Sequence, residues 1–371
     1  MRSRAETGPI STFLSVGSTG RGLLGNVRRA SLSGRRVLKK ATMHIAYSAT
    51  KMEALKTLAK TQGNAIQAVL MPSIQAFVPL LLSNKTSILS TPRTTYSYGS
   101  HPRQKLDHYP SSTGPSSPTL IFFYGGGLIR GDKILPMVPE GLIYHNLGHF
   151  FAQRGITTLI ADYRRVNSPF GGEDAVFPSG GDDVAAVLKW LGSEEGEKEV
   201  KGDRKNVYLM GNSAGGLHIA TFLLSPHFLS ERKALHSGTG PVQLKGAIEI
   251  GVPFGFDQAA DDRQDMLIAY YGSIEEAREK CPTGLLKAVE KEGGSKEELG
   301  VPKLLFMVSE NDPEDEILAP NREFVGLVEK VWGEKGEVRE IEGHNHISPL
   351  MALGSGEGEK WGEELAAWVK G

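Results

Sequence analysis

From about Thr95 onward, short apolar runs alternate with helical patterns, and this alternation constrains the fold more than any other feature. TLIFFY (Thr119 to Tyr124), TTLIADYR, NVYLM, GAIEIGV, KLLFMVS and EVREIEG read as strands. Helical stretches separate them, around Gly141 to Arg154, in DDVAAVLKWLGS, after Ser213, in EILAPNREFVGLVEKVW and in GEKWGEELAAWVK. Buried strands that alternate with helices predict an α/β protein, with a mostly parallel sheet covered on both faces. TYSYGSHPRQKLDHYP reads as a hairpin ahead of it. Short helical pieces between Phe254 and Leu299 interrupt the alternation. They are expected over the carboxyl edge of the sheet, where they would shape a pocket.

The ends differ from this body. In the first forty-odd residues Arg2, Arg4, Arg21, Arg28, Arg29, Arg35, Arg36, Lys39 and Lys40 face one acid, Glu6. An Arg-rich, Ser-rich, acid-poor start reads as a transit peptide or as a disordered extension. The organisation expected is therefore a targeting-like or disordered segment over 1–45 and one domain over 46–371. Within that domain a helical segment at about 50–90 and a helical insertion at about 254–300 would form a cap. The run AIQAVLMPSIQAFVPLLL is apolar, but Pro72, Gln75 and Pro79 interrupt it, so no stable membrane span is expected. Lys+Arg 42 against Asp+Glu 43 gives no electrostatic case for nucleic acid. Cys281 is the single cysteine, which excludes an intramolecular disulfide and a two-cysteine metal site. A cytoplasmic location fits, with the mitochondrion left open by the N-terminus.

The stretch NVYLMGNSAGGLHIA carries the chemistry. A bare G-x-S-x-G is a weak signal, but here an apolar strand runs into Gly211 and a helical pattern begins after Gly216. On a strand-to-helix turn the motif presents Ser213 as a nucleophile above the sheet edge, beside a helix N-terminus. A serine needs a base, and the order expected is serine, acid, histidine. Glu310-Asn311-Asp312-Pro313 follows one strand, with Asp312 favoured over Glu310, and Asp315 expected to cap the next helix. His344-Asn345-His346 follows the last strand, with His346 favoured and His344 positioning the loop. Tyr124-Gly125-Gly126-Gly127 follows TLIFFY. Its glycines let backbone approach a substrate carbonyl, so Gly126, Gly127 and Ala214 are the expected oxyanion donors. A dinucleotide-binding reading of these glycines is weaker, since Asp162 stands too far beyond them.

Together these motifs resemble the α/β-hydrolase superfamily, most of all its hormone-sensitive-lipase-type esterases and neighbouring carboxylesterases and arylformamidases. YGGG stands in place of the HGGG loop, ADYRR resembles the D-Y-R strand end, and FPSGGDDVAAVLKWL resembles the F-P-x-x-x-x-D helix start. GNSAGG matches the G-D-S-A-G-G elbow, and NDPEDE resembles the D-P-x-x-D acid loop. Tyr124 and Asn212 depart from the pattern. Asp182-Asp183 is expected to cap a helix and brace the elbow.

The resemblance implies an α/β-hydrolase fold. It implies a serine hydrolase that cleaves esters of small or medium acyl groups through an acyl-enzyme. Ser213, Asp312 and His346 would form the triad, with no metal or cofactor. The alternatives are an amidase or arylformamidase with the same triad, and a non-catalytic hydrolase-fold binding protein. The apolar first helix and Tyr270-Tyr271 suggest a hydrophobic pocket. Acyl length, alcohol and oligomeric state are not legible.

Overall fold

A computed structural model describes residues 50–259 and 261–371. The Arg-rich start lies outside the described residues. Eight strands form one sheet: β1 (Thr94–Ser97), β2 (Lys105–Tyr109), β3 (Pro118–Phe123), β4 (Thr157–Ala161), β5 (Asp203–Asn212), β6 (Leu244–Ile250), β7 (Lys303–Asn311) and β8 (Glu337–Asn345). Their order is β1-β2-β4-β3-β5-β6-β7-β8. β1 and β2 form an antiparallel hairpin, and β2 meets β4 antiparallel. From β4 to β8 every neighbouring pair is parallel.

Every residue of β4 is buried, and so are five of the six in β3. Successive side chains point to opposite faces, so both faces of the sheet centre are covered. The chain leaves β3 for β4 on one side and then crosses to β5 on the other. The carboxyl ends of β3 and β5 therefore flank the switch point, where open α/β sheets bind ligands.

The N-terminal segment forms three helices, Lys51–Gln62, Ile66–Ser83 and Lys85–Leu89. Gly63, at φ +74, ends the first. The second, with mean hydropathy 1.6, has the length and composition of a membrane span, and 28% of it is buried. Pro72 and Pro79 stand inside it, while Val69, Ser73, Ile74, Phe77 and Leu81 are buried against the rest of the chain. The segment after β6 folds into the helices Gln264–Tyr271, Ile274–Lys280, Pro282–Glu292 and Lys296–Leu299.

Two capping expectations fail. Asp315 lies inside a wide turn, Glu314–Leu318, whose cap position is taken by Pro313. Asp182 and Asp183 lie within the helix Ser179–Leu191, which starts before them. Asp183 is fully buried and accepts from Arg164 N at 2.8 Å, Arg164 Nε at 3.0 Å and Gln104 Nε2 at 2.8 Å. It ties the loop after β4 to this helix instead of capping it.

The helix Ser179–Leu191 packs on the helix Ala214–Leu224 so closely that a Cβ on Gly180 would stand 1.8 Å from the His218 ring. His218 is buried against Tyr163, and neither of its ring nitrogens has a hydrogen-bond partner. Burial lowers its pKa to about 3, and desolvation together with nearby Lys201 lowers that of His108 to about 4. Both rings are neutral in the folded chain, whereas unfolded histidine takes a proton below about pH 6.5. Stability is therefore lost as pH falls from about 6.5 towards 4, by roughly 1.4 kcal/mol per unit of pKa difference. His218→Met should flatten the fall in Tm between pH 7 and 4.5; parallel Tm–pH curves for variant and parent would disprove this.

Candidate active site

β5 ends in Ser213, which takes φ 52 and ψ −120 ahead of the helix Ala214–Leu224. A residue with a β-carbon held there costs about 1–3 kcal/mol unless its surroundings enforce it. Here they do. Ser213 N donates to Ile250 O at 2.9 Å, and its carbonyl accepts from Gly216 N at 2.9 Å and Leu217 N at 3.2 Å. The flanking glycines are steric necessities. A Cβ on Gly211 would stand 2.5 Å from the Gly216 backbone, and one on Gly215 would stand 2.0 Å from Phe123 O.

Asp312 and His346 meet beside this turn. Asp312 is almost fully buried, and its Oδ2 accepts from Ser309 N at 2.7 Å. That bond leaves Oδ1 aimed at His346 Nδ1, 2.7 Å away. Glu310, the rival acid, instead accepts from Gly343 N at the surface. His344 lies within β8, its Nδ1 2.8 Å from Ser348 Oγ and its Nε2 2.8 Å from Gly358 O. Burial lowers its pKa to about 4. It braces the turn, while His346, just beyond the strand, faces the acid. Between them Asn345 Oδ1 accepts from Ile347 N and Ser348 N, and Asn345 Nδ2 donates to buried Ser73 Oγ at 2.9 Å.

Gly251 joins the two halves, and sequence reasoning missed it. Ile250 accepts the Ser213 amide, and Gly251 N donates to Met307 O at 2.8 Å. Gly251 has φ +55, and a Cβ there would stand 3.2 Å from His346 Cε1 and 3.5 Å from Asp312 Oδ2. One residue without a side chain thus lets serine, histidine and acid gather at the end of β6.

The glycine loop faces them. A Cβ on Gly125 would stand 3.1 Å from Ser213 Cβ. Gly126 and Gly127 have φ +155 and +59. The N–H groups of Gly126, Gly127 and Ala214 donate to no carbonyl among the described residues. Gly127, Ser213 and Ala214 line a cavity of about 50 Å³, walled by Ile66, Leu128, Leu217, Phe256, Met266 and Ile317. A larger cavity of about 750 Å³ lies by β8 and the first helix, and Ser213 does not line it.

A family model described as BD-FAE matches residues 106–233. The fold is similar to that of a hyperthermophilic esterase from the archaeon Pyrobaculum calidifontis (TM-score 0.58, 16% identity, 87% of this chain and 97% of that one). It is also similar to esterase B from Lactobacillus rhamnosis (TM-score 0.57, 16% identity, 82% and 95%). This chain has the α/β-hydrolase fold. Among curated proteins this chain is 25% identical over 257 residues to an Oryza sativa subsp. japonica protein described as "Probable isoprenylcysteine alpha-carbonyl methylesterase". That match covers 68% of this chain and 58% of the rice protein. It is 31% identical over 142 residues to the Arabidopsis thaliana isoprenylcysteine alpha-carbonyl methylesterase, covering 38% and 29%.

Tyr124 and Asn212, the departures from the expected motifs, have visible reasons. Tyr124 points away from the cavity. Its hydroxyl donates to Asp162 Oδ1, and it accepts from Arg103 Nη2 at 2.8 Å. Gly131, at φ +101, folds the loop back onto this ring. Asp162 also accepts from Lys133 N, so it anchors the glycine loop from beneath. Asn212 Nδ2 donates to Ile250 O at 3.3 Å, the carbonyl that also holds Ser213. A carboxylate at that position would have no proton to give. Tyr270 and Tyr271 are buried behind the wall against Phe177 instead of lining the cavity.

Glu249, also missed, is fully buried under the first turn of the elbow helix. A Cβ on Gly216 would stand 2.5 Å from its Oε2, which has no hydrogen-bond partner. Burial raises its pKa well above the usual carboxylate range. The folded chain therefore keeps a proton that the unfolded chain releases above about pH 4.3, and stability falls as pH rises from there. Glu249→Gln removes that dependence. Its Tm advantage over the parent should be absent near pH 4 and grow to several degrees by pH 8; an advantage that shrinks with rising pH would refute the neutral-acid assignment.

Proposed function

We propose that this hydrolase cleaves carboxylic esters through an acyl-enzyme on Ser213. The observation that carries the reading is the left-handed Ser213 beside an Asp312–His346 pair at 2.7 Å, opposite a glycine loop with free N–H groups. In this reading His346 removes the Ser213 proton through Nε2 as Oγ attacks the ester carbonyl. Its Nδ1–H is held by Asp312, which fixes the tautomer and stabilises the imidazolium that forms. The oxyanion falls among Gly126, Gly127 and Ala214, whose N–H groups need no reorganisation to receive it. His346 then returns the proton to the leaving alcohol, and water, activated by the same ring, releases the acid.

The substrate reading rests on cavity and kinship together. A cavity of about 50 Å³ is far smaller than the several hundred typical of drug-sized ligands, so the group it takes is short. The methylesterase names of the rice and Arabidopsis proteins support a carboxylic ester, and a small alcohol is in keeping with the cavity.

Ser213→Ala should lower kcat on a soluble aryl acetate by about 10⁴-fold or more and abolish labelling by a fluorophosphonate probe. Asp312→Asn should lower kcat by a similar order with the probe site still present. Retention of full activity by either variant would remove the triad. Faster turnover of an N-formyl aryl amide than of the matched aryl ester would favour the amidase instead.

A further inference from the structure

The cavity wall is apolar apart from Ser213 and one charged pair. Arg263 and Glu316 are the charged residues of that lining. Arg263 precedes the helix Gln264–Tyr271, and Glu316 lies in the turn Glu314–Leu318 after the acid loop. Arg263 Nη2 stands 2.8 Å from Glu316 Oε2. The pair is only about a quarter exposed, at 24% and 26%.

The two arms of the guanidinium differ. Nη2 is committed to Glu316. Nη1 points at the glycine loop, and a Cβ on Gly127 would stand 3.3 Å from it. Nη1 bonds to no acceptor among the described residues. Burying a guanidinium in an apolar wall costs free energy that the ion pair only partly offsets. An apolar residue of similar volume would line a pocket for simple alkyl groups at least as well. A donor held in a rigid planar fork suits recognition of a carboxylate or carbonyl oxygen, and Glu316 keeps that fork from rotating.

We propose that Arg263 is a specificity-determining residue. Through Nη1 it binds a hydrogen-bond acceptor, a carboxylate or an amide carbonyl, carried one or two atoms from the scissile carbonyl on the acyl side of the substrate. The inference rests on the ester reading of the Ser213 site. Gly127 connects the two, since its backbone is a proposed oxyanion donor and its open α-carbon faces the guanidinium. A substrate carbonyl in the oxyanion site brings its neighbouring acyl atoms to Nη1. Glu316 has a second effect. Its charge partly neutralises Arg263, which favours the neutral amide carbonyl relative to the carboxylate.

The test is a set of methyl esters given to purified protein: a plain short-chain ester, a monomethyl dicarboxylate and an N-acetyl amino-acid ester. The quantity read is the ratio of kcat/KM for each acceptor-bearing ester to that for the plain one. Arg263→Met should lower both ratios by about tenfold. Glu316→Gln should raise the carboxylate ratio several-fold and leave Arg263 in place. Fluorophosphonate titration corrects each preparation for folded, active protein. If Arg263→Met leaves both ratios within threefold of the parent, the inference is overturned. If that variant does not fold, an unchanged carboxylate ratio in Glu316→Gln overturns it equally, and a raised one supports it. A parent that cleaves no ester in the set ends the ester reading and this inference with it. A parent that cleaves the plain ester, with ratios untouched by either substitution, ends the inference alone.

Discussion

The hydrogen bond from Ser213 N to Ile250 O is the contact on which the rest of the site depends. It ties the end of β5 to the end of β6 at a place where a residue with a side chain adopts a left-handed backbone at the sheet edge. The conformation is unfavourable by itself. It persists because neighbouring groups have removed the alternatives. Gly211 and Gly215 let the turn close, Asn212 reinforces the same carbonyl, and Glu249 fills the space under the first helical turn. The carbonyl belongs to Ile250, and the next residue is the glycine against which His346 rests. Ser213 and His346 are therefore spaced by backbone hydrogen bonds between parallel strands.

A second set of buried polar groups supports the facing loop. Arg103, Tyr124, Asp162 and the Lys133 amide form a connected cluster beneath Gly125 to Gly131. Such a cluster is costly to bury unless every member is satisfied. Here the cluster holds a loop of four glycines whose own conformational entropy would otherwise leave its N–H groups unaimed. The tyrosine that breaks the usual motif is one of the members that connect loop and cluster, beside Arg103, which donates to Gly131 O, and Asp162.

Much of this was legible in the sequence, and the reasons are local. Strand periodicity, the strand-turn-helix setting of Ser213 and the run of glycines after TLIFFY all depend on residues adjacent in the chain. The parallel sheet followed from that pattern. What was not legible depends on pairing between distant segments. Nothing near Gly251 or Glu249 in the chain marks them; their roles arise because β6 lies between β5 and β7. The same holds for Arg263 and Glu316, more than fifty positions apart, and for Asp183, whose partners lie on two other loops. Asp315 misled because capping preferences describe ordinary helix starts, and this one begins with a wide turn after Pro313. The choice between His344 and His346 was a question of register. His344 lies within β8 and His346 just beyond it, and a shift of two residues in the strand end would exchange them.

The apolar helix Ile66–Ser83 has a different standing once its contacts are considered. Ser73, a polar residue in its buried face, is the partner that fixes Asn345, and Ile66 forms part of the cavity wall. The helix thus contributes to the pocket wall at one end and supports the histidine turn through its buried face. A segment that precedes the first strand thus reaches both the cavity wall and the support of the histidine turn, so one displacement of it would disturb both.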